Sequence, residues 1–241
     1  MLTNKWIPAS VTKEVAVDKF IWSTEKINEM NTALDEGINL KMPSPYYDGN
    51  SNLRKGNLIF EYTQHELSDI KRCARGISYF AENYCSVMTD DGIQTIKLRD
   101  YQKKMLEEFV ENRFCVTMAS RQVGKTICAS IFIAWYVLFN FDKNVMILAN
   151  KGATTKEIID KSKVIIENLP FFMKPGIFKY DVMNLRFDNG CRMVGQSTTA
   201  KSGISFTIHL LFLDEFAHIH HSILNTFYEN VFPTLSSSKV S

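Results

Sequence analysis

The segment from Ile127 to Phe139 is apolar almost without interruption and follows directly on Gly124-Lys125-Thr126. A helix that is apolar all round has to lie inside a core, and this one falls far short of the roughly 20 residues needed to cross a bilayer. Just upstream, Phe114-Cys-Val-Thr-Met118 is a short run of strand formers that ends in Ala119-Ser-Arg-Gln-Val-Gly-Lys-Thr126. The expected order is therefore strand, loop, buried helix. An arrangement of that kind places backbone N–H groups and a helix N-terminus around one point, where they can hold an anion.

The rest of the chain supplies a sheet on which such a unit can sit. Val145 to Ala149 and His209 to Leu213 are near-continuous apolar runs, as strands buried on both faces require. Leu185 to Phe187 and Arg192 to Val194 flank Asp188-Asn-Gly190, a hairpin signature. Helices are expected from about Asp100 to Asn112, from Thr155 to Asn168, and from a capping box at Thr63-Gln-His-Glu66 without a break to about Tyr84. Strands alternating with helices indicate an α/β fold with a mostly parallel central sheet covered by helices. Residues 1–57 are polar, broken by Pro43, Pro45, Gly49 and Gly56, with a weak helical pattern from Ser23 to Leu34. They read as an arm or accessory subdomain preceding a main domain over 58–241.

Composition excludes more than it selects. With 28 basic and 26 acidic residues the formal charge is +2, so any DNA contact must be local. The five cysteines form no CxxC pair, which suits a reducing compartment, and the N-terminus has no basic region leading into an apolar run. His218, His220 and His221 lack further ligands at metal-binding spacing. Phe132, Trp135, Tyr136 and Phe139 recur at helical spacing and read as core.

Chemistry concentrates at two places. In the loop, Ser120, Gln122, Val123 and Gly124 would present the backbone to phosphates, Lys125 would reach the β/γ oxygens and Thr126 would ligate magnesium. The leading glycine of the usual phosphate-loop pattern is Ala119 here. The second place is Asp214-Glu215, delivered at the C-terminal end of an apolar strand, the edge where nucleotides bind in open α/β sheets. Asp214 would hold magnesium, and Glu215 would orient and deprotonate the attacking water. A Gly-Lys-Thr turn alone also suits a solvated loop, and an Asp-Glu pair alone a solvated strand end. In this order and separation they describe a nucleotide hydrolase. Arg121, inside the loop, can project to a γ-phosphate; Arg99, Tyr101 and Gln102 offer a planar amide and a ring to an adenine.

Arg99-Asp-Tyr-Gln102, Ser120-Arg-Gln-Val-Gly-Lys-Thr126 and Leu211-Phe-Leu-Asp-Glu-Phe-Ala217 together resemble the ATPase of tailed-phage large terminase subunits, nearest to those of contractile-tailed phages. The likeness runs from about Ile70 onward and includes Tyr79 to Cys85 and Asn150-Lys-Gly152. It implies a P-loop NTPase fold of the additional-strand type, with ATP and magnesium bound. Gln102 becomes the adenine contact and Arg121 an arginine finger supplied in cis. The implied work is DNA packaging in the host cell cytoplasm, by a homo-oligomeric ring on the portal protein, with double-stranded DNA and the small terminase subunit as partners and no membrane.

The sequence departs from the family at Lys201-Ser-Gly203, where an Arg-Gly pair is usual. The serine/threonine-rich coupling motif and the nuclease domain expected after the acidic strand have no counterpart before Ser241. In the implied fold the next strand, starting near Lys239, inserts between the Asp-Glu strand and the phosphate-loop strand. Without it those two strands are expected either to flank an open position or to be drawn together, in a chain that is marginally stable and nearly inactive. Two other readings fit parts of the pattern: a two-lobed helicase, although Phe216-Ala217 replaces its usual continuation after Asp-Glu, and a nucleotide-binding fragment without turnover.

Overall fold

The computed structural model describes residues 20–38, 40, 42–89, 92–120, 122–197, 207–216 and 229. Its centre is strand β7 (Asn144–Ala149), which pairs in parallel with β10 (Arg192–Ser197) on one side and β11 (Leu210–Asp214) on the other. Beyond β10 the sheet continues through β9 (Asn184–Phe187) and β8 (Ile177–Tyr180), both antiparallel, giving the order β11-β7-β10-β9-β8. The expectation of a mostly parallel sheet thus holds only at its β11-β7-β10 end. The outer half folds back as hairpins, because Asp188-Asn-Gly190, with Gly190 at φ +81°, reverses the chain too tightly for a crossover.

Side chains alternate across β7. Val145 and Ile147 join the main core with α5 (Lys125–Phe139) and α6 (Gly152–Glu167), while Met146 and Leu148 meet Ile208, Leu211, Leu213 and Phe216 on the other face. Helix α5 is buried along most of its length, as its composition requires, and Phe132, Trp135, Tyr136 and Phe139 are core residues. Trp135 Nε1 donates to the Cys73 carbonyl at 2.8 Å, which satisfies its polar end.

Several elements depart from expectation. Helix α4 (Asp100–Glu111) matches its predicted span, but the helix expected from Thr63 to Tyr84 is two, α2 (Gln64–Arg75) and α3 (Ile77–Tyr84). They divide at Gly76, whose extended backbone (φ −137°, ψ 101°) no helix tolerates and whose residue type disfavours a helix by about 1 kcal/mol relative to alanine. Helix α6 begins at Gly152 after Lys151, ahead of the expected threonine caps. The largest correction concerns Phe114 to Met118, which forms no strand. Phe114 is 64% exposed, Val116 93% and Met118 94%. Among the described residues β11 pairs only with β7, and nothing pairs with its other edge. Among these residues the two segments do not pair with each other.

Before the main sheet lies a small second core of Trp22, Ile27, Met30, Tyr46 and Phe60. It is built from β1 (Ile21–Trp22), α1 (Thr24–Asp35), the hairpin of β2 (Tyr46–Tyr47) with β3 (Asn50–Arg54), and β4 (Ile59–Phe60), which pairs in parallel with β1. This core reaches Phe60 and is closed by Phe171 and Phe172, which follow α6. A further two-stranded hairpin, β5 (Ser86–Thr89) with β6 (Gly92–Thr95), precedes α4.

Two buried cations join the small core to the main body. Arg54 lies 5.1 Å from the Phe60 ring and 5.9 Å from the Phe171 ring, and its guanidinium donates to Tyr62 Oη at 3.1 Å. Lys174 Nζ donates to the carbonyls of Asn52 at 2.7 Å and Glu167 at 2.5 Å. Burial pulls the Lys174 ammonium down to about 8 against a weaker opposing pull from Glu167. Between pH 8 and the ordinary lysine value of 10.5 the unfolded chain holds this proton and the folded chain does not. The lysine's contribution to stability therefore rises with pH across that window. Buried Cys73, pushed up to about 12, and Cys128 and Cys191, pushed up to about 11, act in the opposite sense once their unfolded counterparts ionise. The informative quantity is thus a difference between proteins. The melting temperature of wild type relative to Lys174→Met should climb from pH 8 to 10, and a flat difference would show that Lys174 is solvated.

Candidate functional site

Parallel pairing levels three strand ends at one edge of the sheet: Ala149 of β7 stands opposite both Asp214 of β11 and Ser197 of β10. Helix α6 starts three residues after β7 and is fixed against β10 by Thr155 Oγ1, which donates to the Gln196 carbonyl at 3.1 Å. Helix α5 starts at Lys125 behind Gly124, which adopts the left-handed φ of +82°. No side chain caps α5 and its first turn carries no acidic residue. Among the described residues its N-terminal N–H groups and positive dipole end have no side-chain cap.

The loop before α5 is held from two directions. Lys125 Nζ donates to the Ala119 carbonyl at 2.9 Å, closing the loop on itself. From the side, Tyr101 Oη and Gln102 Nε2, at the start of α4, donate to the Val123 carbonyl at 3.1 and 3.3 Å. Gln102 Oε1 accepts from the Arg99 N–H at 3.0 Å, and Tyr101 Oη accepts from Arg99 Nη1 at 3.5 Å. The residues expected to meet a base thus stand directly against the phosphate loop. Ser120 and Gln122 are exposed, Val123, Lys125 and Thr126 half-buried, and Gln122 has a positive φ of 63°.

Asp214 is half-buried, and burial raises its carboxyl above the usual carboxylate range. The Glu215 N–H, donating to Asp214 Oδ1 at 3.0 Å, pulls it back; the Glu215 charge adds to the rise and Lys125 opposes it. The loop lysine is thus near enough to the strand end for its charge to act on Asp214. Glu215 itself is exposed and holds φ at +51°. Left-handed backbone at a residue with a long side chain is uncommon and concentrates at functional positions.

The charge of Glu157, on α6, also reaches Asp214 and raises it further. Glu157 pairs with Lys161 Nζ at 2.5 Å. No sequence signal marks Glu157, because its proximity depends on how α6 packs against the sheet. Arg121, Lys201 to Gly203 and His218, His220 and His221 lie outside the described residues.

The chemistry of this edge suits a magnesium-bound polyphosphate: an uncapped helix N-terminus, a lysine, a hydroxyl at Thr126 and a carboxylate at Asp214. Among the described residues no group of three or more His, Cys, Asp and Glu could hold a metal by itself. Among the same residues no helix is long and apolar enough to cross a membrane.

The family described as terminase large subunit, T4likevirus-type, N-terminal, matches residues 116–225. That span contains the loop at residues 119–124, α5, the parallel strands and the Asp214-Glu215 end of β11. Over residues 116–225 this match supports a large terminase subunit of T4-like phages.

Proposed function

We propose that this chain is the ATP-hydrolysing part of a DNA-packaging motor, built on a P-loop NTPase fold of the additional-strand type. The observation that carries the reading is the shared field of Lys125 and Asp214, which joins loop and strand end in one site at the C-terminal edge of parallel strands. In this reading the N–H groups of Gln122 to Thr126 and the Lys125 ammonium bind the phosphates. Thr126 and Asp214 would hold magnesium, which supplies neutralisation of the β/γ charge. Glu215 orients the attacking water and takes its proton, and Arg121 meets charge at the γ-phosphate from within the same chain. Double-stranded DNA, a portal protein, a small terminase subunit and a ring of like subunits are the partners this activity calls for.

The assignments separate cleanly in mutants of a chain long enough to turn over ATP. Lys125→Ala should abolish tight binding of magnesium-ATP, measured by calorimetry. Glu215→Gln should retain binding and lose hydrolysis, and unchanged turnover would remove its role. Arg121→Ala should slow the chemical step by about 10³-fold with little effect on affinity; a loss confined to affinity would make it a phosphate clamp.

The backbone at Glu215 gives an independent test that needs no turnover. A left-handed residue with a Cβ costs about 1–2 kcal/mol, whereas glycine is at home there. Glu215→Gly should therefore melt higher than Glu215→Ala, by about 1 kcal/mol, reversing the usual order of the two residues at ordinary backbone positions. Equal melting temperatures, or a higher value for the alanine variant, would mean that the site stores no strain.

A further inference from the structure

We infer that Tyr101 and Gln102 are positioning residues for the phosphate loop, pinning its last peptide unit before α5, in addition to any contact with a base. The inference rests on the nucleotide-hydrolase reading and extends it to what these two side chains do when no base is present.

The Val123 carbonyl receives two side-chain donors, the Tyr101 hydroxyl at 3.1 Å and the Gln102 amide at 3.3 Å. A carbonyl oxygen has two lone pairs, so both bonds can form together. That carbonyl and the Gly124 N–H belong to one planar peptide unit and point in opposite directions across it. Pinning the oxygen toward α4 therefore aims the Gly124 N–H away from α4. This matters most at Gly124, because its left-handed φ of +82° lies in a region where glycine has little conformational preference of its own. Nothing local to the glycine selects the orientation; the two donors do.

The anchor is rigid enough for the task. Gln102 is only 8% exposed, and its other amide atom is committed to the Arg99 N–H at 3.0 Å, so the side chain cannot turn without breaking a second bond. Tyr101 is held in turn by the Arg99 guanidinium at 3.5 Å. The fit to the loop is close: a Cβ at Gly124 would lie 2.5 Å from Gln102 Nε2, so that any other residue there would push the amide off.

The consequence is that part of the affinity for phosphate depends on residues that a purely base-reading role would leave irrelevant to it. Magnesium tripolyphosphate, which has phosphates and no base, separates the two roles. Calorimetric titration of wild type, Tyr101→Phe and Gln102→Met with magnesium tripolyphosphate and with magnesium-ATP should show the tripolyphosphate affinity of Tyr101→Phe reduced about three- to ten-fold. That is the worth of one neutral hydrogen bond. Gln102→Met should lose at least as much, since it gives up the same kind of bond and leaves the Arg99 N–H unpaired. Tyr101→Phe keeps its ring and half-exposed setting, so its melting temperature should match that of wild type, which guards against a folding artefact. Reduced ATP affinity with tripolyphosphate affinity unchanged, or raised, in both variants would overturn the inference and leave the residues as base contacts alone. Wild-type protein that binds neither probe would overturn the hydrolase reading itself.

Discussion

The backbone pairing of β7 on both of its sides is the constraint on which the rest depends. Each residue from Val145 to Ala149 is fully buried, and a strand with no exposed face or edge can only be apolar and fully hydrogen-bonded. Because both of its neighbours run parallel to it, their C-terminal ends must finish at the same edge. Asp214 reaches the site for this reason and not through any property of its own. Burial at that edge then raises its carboxyl, and the Glu215 N–H, with a smaller pull from Lys125, opposes the rise.

The position of that lysine is settled on the other layer. Helices α5 and α6 pack closely, with small hydroxyl residues where they meet: Ser130 Oγ donates to the Ile158 carbonyl at 3.2 Å and Ser162 Oγ to the Ser130 carbonyl at 3.4 Å. Both serines are fully buried, so these bonds satisfy groups that have no access to water. Each hydroxyl has a single proton, which it shares with a nearer carbonyl of its own helix, Thr126 at 2.8 Å for Ser130 and Ile158 at 2.9 Å for Ser162. A helix tied in this way cannot slide along its neighbour. The first turn of α5, with Lys125 and Thr126, is thereby fixed relative to the first turns of α6, which bring Glu157 within electrostatic range of Asp214.

What could be read from the residues alone follows the same division between local and non-local causes. Helix α4, the buried α5, strand β7 and the Asp188-Asn-Gly190 hairpin were legible because each is dictated by periodicity, apolar length or turn chemistry within its own span. Order and spacing along the chain also pointed to Lys125 and Asp214 as a pair, and the charge of Lys125 does reach Asp214. Gly76 was misjudged because the apolar positions keep helical spacing across it, so periodicity outweighed a single residue's backbone preference. The outer strand β8, the two-residue strands β1 and β4, and the nearness of Glu157 carried no signal. They exist through partners distant in sequence: β4 through Ile21 and Trp22, and β8 through Leu185 to Phe187.

Phe114 to Met118 shows the same limit from the other side. Its residues have every intrinsic preference for a strand, yet a strand is a relation between two chains of backbone, and intrinsic preference contributes little beside side-chain packing and pairing. With no described strand beside it, the segment leaves its apolar side chains in solvent. Among the described residues the loop that follows therefore has no strand behind it to set its path. Its geometry comes instead from what grips it: α5 behind, the Lys125 bond to Ala119 within, and the α4 side chains on Val123. A loop mounted on side chains has an orientation that a single hydroxyl can alter, whereas one continuous with a paired strand would not. The short stretch from Arg99 to Gln102 thus governs the loop's shape as much as it meets any base.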